Sequence, residues 1–540
     1  MAIDAEILRR PVIRRSGAGG IALPEWSAPA WASLGLVLAF LGVACWWLSQ
    51  DRSIPVYDSG SHLSSAIAAY EALGSGRLGR ALTAAAPYPP LTFLVGALGV
   101  FAGGVDVAPP IIAQDLVFVA LLALGCYQVG RLAFGSTAGL LAVVFALGSP
   151  LIIEEFHEFM LDAPEAAMVA VSLWAILASE RFSRLGVSAL AGLAVGLGML
   201  SKETFVYFLA GVVLVALIRG GRSAWRGAAV FAAVALVVTL PWYLYELPTI
   251  HALGNEALGS SSHLSTLKIF PGIAPPRLSG ANLAWYFWSI VNWQLLVPLF
   301  AFALAGLTWA LVGFARRRPV SAVAPELVAG TLVSWLILTA TYVHDPRYAL
   351  PMEAYFAVLA GGWISNLRAR RRLVAAGALA LVALANTLGV SFGLGSPVAT
   401  GSENATYEQQ PGRLTLYSNY GFWIGPPQTA GKMLSLLRTL RRDGVREVWV
   451  SEQQSEIEYS YPGMLALARI AGLHVPSSYP NPDRVGRAYA YLSRGEALPS
   501  LEDPCVTLKN GAGIWVRRGG PQASGAWGYC PLRSGSSRVM

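Results

Sequence analysis

Charge is scarce in this 540-residue chain: only 13% of its residues are Asp, Glu, Lys or Arg. That is about half the share a soluble domain carries, which excludes a water-soluble globular protein. Lysine is nearly absent, four residues against thirty-five arginines, a bias of the kind GC-rich bacterial coding produces. No internal repeat is evident, nor the inverted symmetry common among transporters. Cysteine is limited to four residues. Cys45 and Cys126 fall in apolar runs and read as small packing residues. Cys505 and Cys530 fall in a polar C-terminal region and are expected to form a disulfide in an oxidising compartment.

What the chain has instead is apolar sequence. Hydrophobic residues make up 55% and the mean hydropathy is +0.52. Several runs approach the ~20 residues that span a bilayer as helix. The net charge of +8 comes from arginines clustered in short loops between those runs. This is topological, positive-inside charge, and no nucleic-acid partner is expected. Arg9, Arg10, Arg14 and Arg15 precede the first run, Ala28 to Leu48. That run is longer than a signal-peptide core and no small-residue cleavage site follows it, so 1–27 reads as a cytoplasmic tail.

Arginines recur at 131, 181 and 184, 219 to 226, 316 to 318 and 368 to 372. Holding all of these inside places 50–108, 154–162, 201–203, 247–284, 342–347 and the segment after 393 outside. Parity then predicts that the short run 90–102 fails to cross, leaving about eleven spanning helices; if it crosses instead, the acidic 154–162 loop lies in the cytoplasm. The expected fold is an α-helical polytopic membrane protein over 28–393. A short outer-face helix sits within it, and an extracytoplasmic α/β domain follows over 394–540. That last domain is read from strand-like stretches at 413–417, 447–450, 488–492 and 513–517, alternating with helix-like 429–442 and 461–472. The expected location is the plasma (inner) membrane, multi-pass.

The outer loops hold the ionisable groups. Asp58 and His62 follow the first run and are four apart, so a helix beginning near Ser59 puts them on one face. A carboxylate there is near enough to the bilayer to meet a lipid-linked substrate and wet enough to act as a base. The 154–162 loop carries five ionisable groups in nine residues: Glu154, Glu155, His157, Glu158 and Asp162. Such density beside apolar helices implies water or a ligand. Glu154, Glu155, His157 and Asp162, with His62 and His344, are candidate ligands for substrate or a divalent cation. Lys202 either pairs with adjacent Glu203 or meets an anion. Arg347 presents a planar fork suited to phosphate oxygens, or a loop contact with Asp345.

Seven short motifs now stand in order. They are Asp58 in the first outer loop, Tyr88-Pro89-Pro90-Leu91, Gly130-Arg131-Leu132-Ala133-Phe134-Gly135, and Ser149-Pro150 ahead of Asp162. Gly198-Met199-Leu200-Ser201-Lys202, Leu240-Pro241-Trp242-Tyr243 and Arg347-Tyr348-Ala349-Leu350-Pro351 complete the set. In this order the chain resembles, over about 56–366, the GT-C superfamily of polytopic glycosyltransferases. The branch it is most similar to holds protein mannosyltransferases and lipid A aminoarabinose transferases. The resemblance implies an enzyme that takes a sugar from a polyprenyl-phosphate donor in the membrane lipid, with Asp58 as base. It implies donor-phosphate contacts from Lys202, Arg347 and Tyr348. The chain departs from the family in having Ser59 beside Asp58, His157 where Arg is common, and Glu154-Glu155. The acceptor and the metal, with a divalent cation as candidate cofactor, are left open. The competing class is a transporter or flippase of a lipid-linked saccharide, which usually carries its charges at the bilayer midplane.

Overall fold

The computed structural model describes residues 27–258 except 52 and 56, and 280–394 except 319 and 342–344. Beyond them it describes 398–399, 415–417, 433–442, 444–450, 461–474, 489–494, 506–507 and 512–517. His344, Cys505 and Cys530 lie outside the described residues.

The apolar runs fold as helices, the form that satisfies every backbone polar group within one segment in lipid. Among the described residues, six are long and apolar enough to cross a membrane: Ala28–Gln50, Ala108–Phe134, Glu203–Ser223, Trp225–Thr249, Leu296–Ala315 and Ala369–Phe392. Four shorter apolar helices join them: Leu91–Gly103, Ser136–Leu147, Leu185–Met199 and Ala324–Ala340. The Asp162–Ala178 and Glu353–Ser365 helices form the centre, buried along nearly their whole length. Their sequences explain this, because small and aliphatic residues on every side leave no polar stripe to face outward. The Ala108–Phe134 and Asp162–Ala178 helices cross closely at Gly125, where a Cβ would lie 2.5 Å from the Ala170 carbonyl carbon.

The run 90–102 forms a short helix. The Leu91–Gly103 helix has 13 residues. At 1.5 Å per residue it is about 20 Å long, short of a ~30 Å hydrocarbon core. Its first N–H bonds the Leu200 carbonyl, and Val105 and Val107 just past its end pack against the C-terminal region.

Past residue 394 the expected α/β pattern is present. Strands Glu447–Val450, Tyr489–Arg494, Ala512–Arg517 and Val506–Thr507 form one sheet in that spatial order. The first pair is parallel and the others antiparallel. A parallel pair needs a crossover, and the Tyr461–Ile470 helix lies in that connection. This helix packs on Tyr57–Gly74, the helix that begins the first loop. The contact is backbone to backbone at Gly60, where a Cβ would come within 2.5 Å of the Gly463 nitrogen. Arg469 fixes the pair by donating to the Ser64 carbonyl (2.9 Å) and hydroxyl (3.1 Å). The two regions share one apolar cluster, with Leu63 and Ile67 beside Leu437, Met464 and Leu467.

Candidate active site

Asp58 lies in the first turn of the Tyr57–Gly74 helix, one residue inside it, and its side chain is 49% exposed. A carboxylate there is favoured by the helix dipole. Its partner is Arg347, 289 residues away, whose Nη2 donates to Oδ2 at 3.1 Å. Arg347 is held from behind by Asp345. The Asp345 carboxylate accepts from the Arg347 backbone N–H (2.9 Å), Nε (3.0 Å) and Nη2 (2.8 Å). Asp-Pro-Arg thus forms a capped start to the 3₁₀ turn Pro346–Met352, with Pro346 supplying the fixed φ of the first position. The loop contact between Asp345 and Arg347 is realised, and it aims the remaining edge of the guanidinium at Asp58. Burial alone would raise the Asp345 carboxyl, but the Arg347 charge and hydrogen bonds outweigh it and hold it below the ordinary value.

Lys202 sits in the turn after the Leu185–Met199 helix and is 7% exposed. Its ammonium donates to Asp162 Oδ1 at 2.5 Å and lies 3.8 Å from Glu165 Oε2. It also lies 4.8 Å from the centre of the Tyr348 ring, close enough for a cation–π contact. Burial would lower this ammonium's pKa, yet Asp162 and Glu165 leave it well above the ordinary value. Of the two readings of Lys202, expected to meet an anion or to pair with Glu203, neither names its partners: its salt bridges run to Asp162 and Glu165, because the Asp162–Ala178 helix presents both carboxylates one turn apart. Glu165 also accepts from Thr204 Oγ1 at 2.7 Å. The three-residue spacing from Asp162 is the sequence signal that could have identified Glu165.

The motifs converge through backbone ties. Leu91 donates to Leu200, Tyr243 to the Met199 carbonyl (2.9 Å), and Trp242 to the Leu82 carbonyl (3.2 Å). Ser149 belongs to a separate buried knot, donating to Glu353 Oε2 (3.2 Å), which also accepts from Gln294 (2.7 Å). This knot anchors the C-terminal end of the Pro346–Met352 turn. Gly130 packs on Gly139 elsewhere in the bundle.

His62 is brought to the site, 5% exposed, with the edges of the Tyr88 and Phe93 rings against it. Neither ring nitrogen has a hydrogen-bond partner among the described residues. Burial lowers its pKa to about 4, against opposing pull from Asp58. Tyr88 is pushed up to about 12, by burial first and then by Asp58. The acidic loop divides. Glu155 is 3% exposed and raised well above the ordinary range, first by burial and then by Asp162, while Arg347 opposes. Glu154 is half-buried beside it. His157 turns away from the site, stacked on Trp47 at 4.3 Å and 3.3 Å from the Ser391 hydroxyl. Its candidacy as a ligand gives way to a packing role between the first and last helices of the bundle. Among the described residues, no three His, Cys, Asp or Glu side chains converge to hold a metal ion. Cys126 is buried as expected, whereas Cys45 is exposed on its helix.

The buried His62 has a measurable consequence. Between pH 6.5 and 4 the unfolded chain binds a proton that the folded chain excludes. Stability is thus complete above pH 6.5 and falls toward pH 4, by on the order of 3 kcal/mol from this residue. Thermal unfolding in detergent at pH 7 and 4.5 checks it. His62→Asn should show a shallower loss than wild type, and equal losses would remove the assignment.

A family model described as dolichyl-phosphate-mannose-protein mannosyltransferase matches residues 88–245. No curated protein sequence matches. The structure is similar to ArnT from Cupriavidus metallidurans in the apo state, at TM-score 0.56 and 16% identity, covering 86% of this chain and 94% of that one. It is equally similar to the same protein bound to undecaprenyl phosphate, at TM-score 0.57 and 16% identity, covering 86% and 93%. The chain thus shares the fold of this ArnT. Within this fold, Asp58, Lys202, Arg347 and Tyr348 gather at one end of the two central helices. Lys202 is already neutralised by carboxylates, while Arg347 keeps one edge toward Asp58.

Proposed function

We propose that the chain is an inverting glycosyltransferase of the plasma membrane, with its site and C-terminal domain on the extracytoplasmic face. It moves a sugar from a polyprenyl-phosphate donor to an acceptor hydroxyl or amine. The observation that carries this reading is the 3.1 Å contact between Asp58 and Arg347. A base and an anion-binding fork, far apart in sequence, share one partly exposed spot at the end of an apolar bundle.

The chemistry is a single displacement. The acceptor atom attacks the anomeric carbon while its proton passes to Asp58. The bond from that carbon to the phosphate oxygen breaks, and the electron pair leaves with the lipid phosphate. Arg347 meets the charge that develops there, and the Tyr348 hydroxyl can donate beside it. Asp58 occupies the Arg347 edge that a donor phosphate would take, so binding of donor both seats the phosphate and frees the base. Lys202 supplies the cationic neighbour of Tyr348, with Asp162 and Glu165 setting its position.

The test is incubation of purified protein with a panel of polyprenyl-phosphate sugars, reading release of free polyprenyl phosphate. Release that disappears in Asp58→Asn supports the proposal and identifies the donor. Protein that binds lipid-linked sugar yet releases nothing with any donor would overturn it in favour of transport.

A further inference from the structure

The Met433–Arg442 helix of the C-terminal region is amphipathic in an uneven way. Met433, Leu437 and Leu440 are buried in the cluster shared with the first-loop helix, while Arg438, Arg441 and Arg442 lie together on its other side. With Ser435 and Ala471 these arginines line a cleft of about 520 Å³. A row of arginines is usually a solvated face, and two observations distinguish this one. The Arg441 Nη1 is buried and has no hydrogen-bond partner among the described residues, an expensive state for a guanidinium donor. Gly472 turns the chain beside it at φ +75°, and a Cβ there would sit 3.5 Å from Arg441 Nε.

Among the described residues, the surrounding charges leave the cleft positive. Arg438 meets Asp106 at 3.4 Å in an exposed pair, which contributes little. Arg442 donates to Thr439 Oγ1 at 3.1 Å. The place of the cleft narrows the class of anion. Asp106 stands two residues before Ala108–Phe134, a helix long and apolar enough to span, and Val105, Val107 and Ala108 pack into the same apolar cluster. The cleft thus opens at the level where a bilayer's headgroups lie.

We infer that this cleft binds a phosphate monoester at the membrane surface, in a site separate from Asp58 and Arg347. Among the described residues, three guanidinium groups face one carboxylate, a balance that matches a dianion, and a phosphate monoester carries about −1.5 to −2. Planar guanidinium forks take phosphate oxygens in pairs, and the unpartnered Arg441 Nη1 is the donor such an oxygen would satisfy. The inference stands whether or not the proposed transfer is correct, because it concerns binding alone.

The test uses full-length protein in neutral detergent, carrying Arg347→Gln to remove the other anion-binding fork. The readout is anisotropy of a fluorescent short-chain phosphatidic acid, with phosphatidylcholine of the same chain length as control. Saturable binding of phosphatidic acid alone is expected, weakened about tenfold or more by Arg441→Gln, the loss of one charge-assisted bidentate contact. Arg438→Gln/Arg442→Gln, which leaves the buried atom untouched, should weaken it as well and serves if the first variant does not fold. Competition by excess inorganic phosphate would assign recognition to the phosphate group itself. Binding that resists inorganic phosphate would assign it to the lipid-borne form. Equal affinity in all arginine variants, equal binding of phosphatidylcholine, or binding lost with Arg347→Gln alone would overturn the inference.

Discussion

Asp58→Asn is expected to lower turnover by roughly 10²–10⁴ while leaving the fold intact. The size follows from the loss of a positioned base in a step that must remove the acceptor proton. The intact fold follows from exposure: the side chain is 49% exposed, and its ion pair with Arg347 reaches a guanidinium already held by Asp345. Removing such a pair costs about 1 kcal/mol or less, and the first-turn helix dipole adds a similar amount. Donor affinity should be unchanged or improved, since the carboxylate that shares Arg347 with the donor phosphate is gone. Rate against donor concentration separates the two effects, with kcat falling and KM not rising. A loss below about tenfold would remove Asp58 from the role of base.

Lys202→Met is expected to cost stability rather than turnover alone, about 3–5 kcal/mol. The ammonium faces Asp162 and Glu165, which are 3% and 1% exposed, so its removal strands two carboxylates away from water. Adding Asp162→Asn to Lys202→Met should recover part of the loss by removing the nearer stranded charge. Thermal unfolding of wild type, single and double variants in one detergent reads both effects. A single variant that unfolds at the wild-type temperature would show that the carboxylates reach water or take up protons without penalty, and would sink this account of the cluster.

The two predictions treat Lys202 and Arg347 differently, and the sequence had grouped them. Both interrupt apolar sequence at outer loops, and both were expected to meet phosphate. What separates them is partner geometry. Asp162 and Glu165, one turn apart on a central helix, close around Lys202, while the capped Asp-Pro-Arg turn leaves one edge of Arg347 toward Asp58. His157 shows the same limit. Five ionisable groups in nine residues identified the acidic loop, but stacking on Trp47 from the first helix turned this ring out of the site. Spacing within a loop does not report which distant helix packs against it.

The sequence by itself determined the class, the helices and the small α/β region after residue 394. These are local properties, set by apolar run length, by the alternation of strand and helix patterns, and by the backbone's need for internal hydrogen bonds in lipid. It also determined which loops carry acids and bases, since such groups tolerate the edge of an apolar bundle and not its middle. Only the tertiary structure decided which of them meet. Asp58 reaches Arg347 across 289 residues, and the Tyr461–Ile470 helix reaches the first-loop helix through Gly60 and Gly463. Such contacts depend on how whole helices cross, and a crossing is fixed by packing summed over many residues rather than by any short motif.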